Sequence, residues 1–489
     1  MKKPLFCRSR TLALNNERGV TMILVALAMI AIIAMAALSI DVITLYLARE
    51  EAQRSADSAA LAAAKIIALS GLTGDPSNLS LQWGAVCGPD DGTNGLATRV
   101  AKTVAGQNTV GSIAADAVTV NYFAGTGDSM GSGTSDCTSL ASTAFGVNPI
   151  VNVQVRRTSM PTFFSRIWGN TSNSVSATAT AEAFNSSNSG NVGNETTGSI
   201  TPVQPRCVKP WVVPNQDPLS SAGCTNGSCI PFVDTGTGAI NRKGISLGGA
   251  GSPGVIGETF WLEPDCQSAG SNCALLNPGS IQPTTNTALG TYGNPNLLYV
   301  PNQVGTPVIA VPSCKVGDAS TAFEQAIAGC DQPTNYSCGV TNANVVDMST
   351  NPRSQTADAV QCLIQQGDTG DITASSGQDY FNPFGAPASY PYPILAGSSN
   401  PTGLSGTQIS ISASIVSLPI YDNSKTINGT GETNVTFVGF LQVFINAVDA
   451  NGNLNVTVLN VSGCSNGSGS VGTPVIGNSP VPVRLITPP

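Results

Sequence analysis

The sequence predicts an α+β protein. A single N-terminal transmembrane helix continues into a long helix, a small α/β domain rests on it, and a disulfide-rich, mainly-β region follows. Three observations carry this prediction: an uncharged apolar run, an alanine stripe that continues it at helical spacing, and alternating segments set among cysteines.

The run Gly19–Ile40 holds no charge. At about 1.5 Å rise per residue it reaches about 33 Å, enough for a hydrocarbon core of about 30 Å. Before it lie Lys2, Lys3, Arg8, Arg10 and Arg18 against Glu17; after it, Asp41, Arg49, Glu50, Glu51, Arg54 and Asp57 nearly cancel. The positive-inside rule makes residues 1–18 a cytoplasmic basic arm, 19–40 the span, and 41–489 extracytoplasmic. The rival is a cleaved signal peptide, with Ala34-Met35-Ala36 as a small-x-small site. A signal core is usually about 7–15 residues, and this run is longer.

Beyond the span, Leu45, Ala48, Ala52, Ala56, Ala59, Ala63 and Ile66 recur every three or four residues, one stripe of a helix. Glu50 and Arg54 stand four apart with the acid first, the favourable order. Gly74, Asp75 and Pro76 end the pattern, so the helix closes near Ser70-Gly71 after about 50 residues. The stripe packs either under its own domain or against another chain.

The small α/β domain completes residues 41–185. Ala117–Phe123, Pro149–Arg156 and Ser174–Phe184 alternate as strands do, and Met160–Trp168 reads as a short helix with an apolar face. Residues 186–205 are a linker by composition. Residues 206–489 form the cysteine-rich, mainly-β extracytoplasmic region. Two helical pieces fall at Thr321–Ala328 and Ala357–Gln366. Strands are predicted at Gln408–Pro419, Val435–Val448 and Leu454–Val461, the last two joined by a hairpin at Asn451-Gly452. The tail Gly463–Pro489 reads as loosely ordered.

Composition narrows the function. Charged residues are 10% and apolar residues 41%, which favours folded β structure over disorder. The net charge of −8, with no basic stripe beyond the arm, argues against nucleic acid. Of thirteen cysteines, twelve follow the span, an even number in an oxidising compartment. Of those twelve, Cys87 and Cys137 alone precede the linker and are predicted to pair. Cys224 and Cys229 are too far apart for a C-x₂-C metal site, and the chain has no histidine. Ser-His-Asp and Cys-His nucleophiles are thereby excluded, as is His-ligated zinc. Acid pairs are not excluded, but none stands out.

Three constellations have bland readings. Asp449-Ala450-Asn451-Gly452-Asn453 opens like a calcium loop, but its glycine is fourth and the twelfth position is Asn460, so it reads as a turn. Asp422-Asn423-Ser424-Lys425-Thr426 is close to a metal-adhesion D-x-S-x-S motif, with too little chain behind it for that domain. Arg156, Arg157 and Arg166 read as solvated positions rather than a basic patch. No catalytic, cofactor-binding or metal residues are predicted.

Glu17-Arg18-Gly19, the uncharged span, Ser39-Ile40-Asp41-Val42, Tyr46-Leu47-Ala48-Arg49 and the run Gln53 to Ala63 resemble the N-terminal module of TadG-like proteins of the Flp/Tad pilus-assembly system. Arg156–Ile167 and Ser174–Ala183 are similar to the stretch that follows in that family. Many relatives carry a von Willebrand A domain, which is not recognisable here. The resemblance implies a bacterial inner-membrane protein facing the periplasm or cell exterior. Its partners would be other Tad/Flp pilus-assembly proteins, and envelope or surface ligands. Prepilins of that system are cut after a glycine and carry Glu five residues on; here Gly19 is followed at that distance by Leu24. The expectation is a membrane-anchored, non-enzymatic component of pilus assembly or of its attachment to the envelope. The alternatives are a pilus subunit or surface adhesin, or an anchored extracytoplasmic enzyme.

Overall fold

The computed structural model describes residues 17–70, 80–92, 94–126, 129–130, 133–140, 145, 149–169, 171–183, 203–220, 229–236, 238, 240–242, 246, 254–264, 281–282, 296–305, 321–331, 333–334, 336–348, 350, 352–367, 377–382, 394–409, 411–424, 427, 431–464, 475–477 and 481–486.

Helix α1 (Glu17–Leu69) is continuous over 53 residues, with span and stripe on one axis. Helix α2 (Ser80–Cys87) and the amphipathic α3 (Leu96–Gln107) follow, α3 lying against α1. Strands β1 (Ala117–Thr126), β2 (Ser129–Met130), β3 (Pro149–Pro161) and β4 (Ser172–Ala183) form an antiparallel sheet on the same helix. Ala117 pairs with Arg156, and Val155 with Ala177. Alternation along β3 buries Val151, Val153 and Val155. The predicted helix at Met160–Trp168 is instead the end of β3 and a single 3₁₀ turn, Ser165–Trp168. The segment is too short to carry a helix against a strand that keeps pairing to Pro161.

The C-terminal region is built on β6 (Trp211–Pro214), β7 (Thr259–Pro264), β8 (Ile281–Gln282), β9 (Asn296–Pro301), β14 (Ile415–Tyr421), β16 (Phe437–Val448) and β17 (Leu454–Gly463). Their order is β6-β14-β16-β17-β7-β9-β8, and β6 also pairs with β9, so six strands close into a ring. Strand β16 is buried almost throughout rather than on alternate residues. Both its faces are therefore covered. Gly439 and Gly463 sit opposite one another, and a Cβ on Gly463 would collide with the Gly238 carbonyl and Val233. Helix α4 (Ala322–Ala328), closed by a Thr321–Glu324 capping box, packs on α5 (Pro352–Ile364). Smaller pairings join β10 (Asn344–Asp347) to β15 (Glu432–Val435), and β11 (Tyr380–Phe381) to β12 (Ile394–Leu395) to β13 (Gln408–Ile409).

Two departures from the sequence reading are informative. Val203–Pro205, placed in the linker by composition, form β5, which pairs in parallel with β18 (Val475–Gly477); residues 186–202 lie outside the described residues. The tail read as loose carries β18 and also β19 (Val483–Ile486), which returns to the N-terminal sheet as a fifth strand beside β4. A polar, Gly/Pro-rich approach hid a four-residue strand whose order comes from its partner. The buried core runs without interruption from the α1 stripe to β16 and β17, and the Asn460 side chain donates to the Ala68 carbonyl at 2.6 Å.

Candidate functional site

Helix α1 divides by surface. From Val20 to Ile40 its large side chains stand free of the protein, a sheath with the length and apolarity of a membrane span. From Ala48 onward one face is closed: Ala48, Ala52, Ala56, Ala59 and Ala63 are buried. They lie under β4, β3 and α3 of the same chain. Methyl side chains let sheet and helix backbones approach α1 closely. The opposite face stays solvated, with Glu50 and Arg54 3.8 Å apart.

Asp41 marks the boundary between these halves. It is 4% exposed. Its carboxylate accepts from the backbone N–H groups of Phe163 and Phe164, both at 3.0 Å, and of Ser165 at 2.7 Å. Those groups begin the 3₁₀ turn between β3 and β4, so the acid caps its N-terminus in the way a side chain caps a helix. Gly169, at φ 86°, ends the turn in the left-handed region. The sequence marks Asp41 and the Arg156–Ile167 stretch separately; the structure joins them across more than 120 residues. One acid closing a long apolar run was the available signal, because a carboxylate there needs donors.

Further polar residues of the same helix bind its domain. Glu51 accepts from the Gly111 N–H at 2.6 Å, Gln53 donates to the Thr178 carbonyl at 3.2 Å, and Ser55 donates to the Ala105 carbonyl at 3.3 Å. Cys87 and Cys137 are disulfide-bonded with Cα atoms 5.5 Å apart. The bridge ties α2 to the 3₁₀ turn Cys137–Ser139 beside an edge-on pair, Trp83 and Phe145, 5.0 Å apart. Disulfides also join Cys207 to Cys330 and Cys338 to Cys464, and Cys229 and Cys362 each take part in a further disulfide with a cysteine outside the described residues.

The other constellations resolve locally. Asp449 holds the β16–β17 hairpin: its Oδ1 accepts from the N–H groups of Asn451 and Asn453, each at 2.8 Å. Asp422 accepts from the Ser424 N–H at 3.0 Å in a turn after β14; Thr426 lies outside the described residues. Arg156 and Arg166 are exposed, whereas Arg157 is not the solvated position its sequence suggests. It is 5% exposed, and its guanidinium donates to the carbonyls of Val110, Gly111 and Ile113. A bulge after Arg157 shifts the β3 register there.

Several charges lie inside the C-terminal region. Arg242 contacts Asp217 and Glu258, the latter at 2.8 Å, and all three are buried. Burial, followed by the charge of Asp217, pushes the Glu258 carboxyl well above its ordinary range, while Arg242 pulls it back. The direction of that shift favours the protonated form of Glu258, and Arg242 contacts both carboxylates. Lys209 donates to the carbonyls of Ile327 at 2.6 Å and Gly329 at 2.7 Å, closing the C-terminal end of α4; burial lowers its pKa to about 7 against the pull of Asp331. These charges staple elements together from sites with almost no solvent access. Among the described residues, no group of three or more acids and cysteines is placed to hold a metal.

The sequence model of the Flp pilus-assembly TadE/G-like family matches residues 19–65. No curated protein and no solved structure matches the chain. The matched segment coincides with α1 from the start of its apolar sheath through Asp41 and along the buried stripe. That part of α1 is a TadG-like Tad module of the Flp/Tad pilus-assembly system.

Proposed function

We propose that this protein is a membrane-anchored, non-enzymatic component of Flp/Tad pilus assembly, or of the attachment of that pilus to the cell envelope. The carrying observation is the coincidence of the Tad family match with a helix that is bare over its apolar half and clasped by its own domain over the other. The bare half suits a bacterial inner membrane, with the basic arm on the cytoplasmic side. The clasped half and the disulfide-linked region beyond it suit the periplasm or cell exterior. The chain has no histidine, and the buried acids Asp217 and Glu258 are enclosed with Arg242, which favours a scaffold over a catalyst. Its partners on this reading are other Tad components.

Deletion of the gene in the source bacterium, with complementation by the full chain, tests the role. Loss of Flp-type pili and of surface attachment is expected, with the protein in the membrane fraction and retaining residues 1–19. Unchanged piliation overturns the role. Recovery from sheared pili with Val20 as first residue would instead make it a pilus subunit.

A further inference from the structure

The apolar sheath of α1 does not end where the charge-free run ends. Past Asp41, the outward face carries Val42, Ile43, Tyr46 and Leu47, which are 57%, 56%, 64% and 55% exposed. The next exposed charges are Arg49 and Glu50. The side chains of Ser39, Asp41 and Thr44 are satisfied inside the helix or its loop. Ser39 donates to the Ala36 carbonyl at 2.7 Å, Thr44 donates to the Asp41 carbonyl at 2.9 Å, and the Asp41 carboxylate is closed by three N–H groups. From Gly19 to Leu47 the sheath measures about 44 Å, well beyond a hydrocarbon core of about 30 Å and close to a bilayer with headgroups at about 40–45 Å. Asp41 also pulls the β3–β4 turn to this level, and Phe163 on that turn is 58% exposed. The exposed Arg166 follows it. An apolar collar with aromatic residues and a nearby cation is the composition of a membrane interface.

We infer that the extracytoplasmic domain does not stand clear of the bilayer. Its rim, made of Val42, Ile43, Tyr46, Leu47 and Phe163, is seated in the outer headgroup layer, and Asp41 sets its depth by holding the turn against the helix. The occupant of this collar is lipid, because the collar continues the surface of the span without a charged break and one helix axis carries both. The inference rests on the anchored reading of α1.

Site-specific photocrosslinking of the full chain in phospholipid vesicles tests it. A benzophenone amino acid is placed singly at Ile30 in the span, at Leu47 and Phe163 on the collar, and at Ile411, which is 82% exposed in the C-terminal region. Lipid adducts at positions 47 and 163 are expected at about tenfold or more above position 411, approaching the yield at position 30. Adducts at 30 without adducts at 47 and 163 overturn the seating and leave the anchor intact. Absence at all three overturns the anchor as well. Chain-to-chain adducts at 47 and 163 in place of lipid adducts assign the collar to a second copy and also overturn the seating.

Discussion

At residue scale, single carboxylates decide local geometry. Asp41 holds the turn after β3, since the N–H groups of Phe163, Phe164 and Ser165 end on its oxygens. Asp41→Ala should therefore speed amide exchange at Phe163, Phe164 and Ser165 in the full chain, leaving the core strands β16 and β17 protected. Hydrogen-exchange mass spectrometry reads both regions, and unchanged exchange at the turn would contradict this role. Glu263 acts through charge instead. Burial, with Asp449 adding repulsion, raises its pKa from 4.5 to about 7. A raised carboxyl gives stability that is complete below its unfolded pKa and fades as pH climbs through the folded one. The protein should accordingly lose stability through this group between about pH 4.5 and 7. Glu263→Gln cannot ionise, so its thermal midpoint relative to wild type should rise across that window. A constant difference would remove Glu263 as the cause.

At element scale, α1 shows what a periodic pattern carries and where it stops. The stripe at three- and four-residue spacing was legible, because only a helix puts those alanines on one face. What covers it was not, since a methyl surface suits any close neighbour. The covering β4 and α3 fix its tolerance: Ala56 has no exposed surface, so Ala56→Leu should destabilise by roughly 1–3 kcal/mol through overpacking. Chemical denaturation of the detergent-solubilised chain measures it, and a neutral result would mean the interface is loose. Strand patterns were legible in the same local sense, yet Gln408–Pro419 alternates throughout and still breaks. Ser412 donates to Asp379, and the Ile415 N–H bonds back to the Ser412 carbonyl. The chain there leaves the sheet of β13 and enters that of β14. Alternation reports a pleat and not which sheet it joins. Arg157 failed similarly, because its partners are carbonyls of a distant turn.

At the scale of the whole molecule, the closing contacts are non-local and were invisible to pattern. Ring closure depends on β6, four residues long, pairing on one side with β14 and on the other with β9. The tie between the chain's ends depends on β19, where Val483 pairs with Ala183 and Ile486 with Thr180. Neither strand is long enough to announce itself; each is specified by the edge that receives it. Strand β19 also shields the β4 edge, which otherwise presents unpaired N–H and C=O groups beside buried alanines. Removing residues 481–489 should therefore lower the thermal midpoint and raise self-association, whereas Arg484→Ala should cost no more than about 1 kcal/mol. The second expectation follows from the exposure of Arg484, whose side chain is 59% exposed beside the buried Glu182. Thermal melting with light scattering on both variants separates the strand's backbone pairing from the Arg484–Glu182 ion pair. Equal effects would assign the closure to charge, and no effect from the truncation would show that the N-terminal sheet holds without its fifth strand.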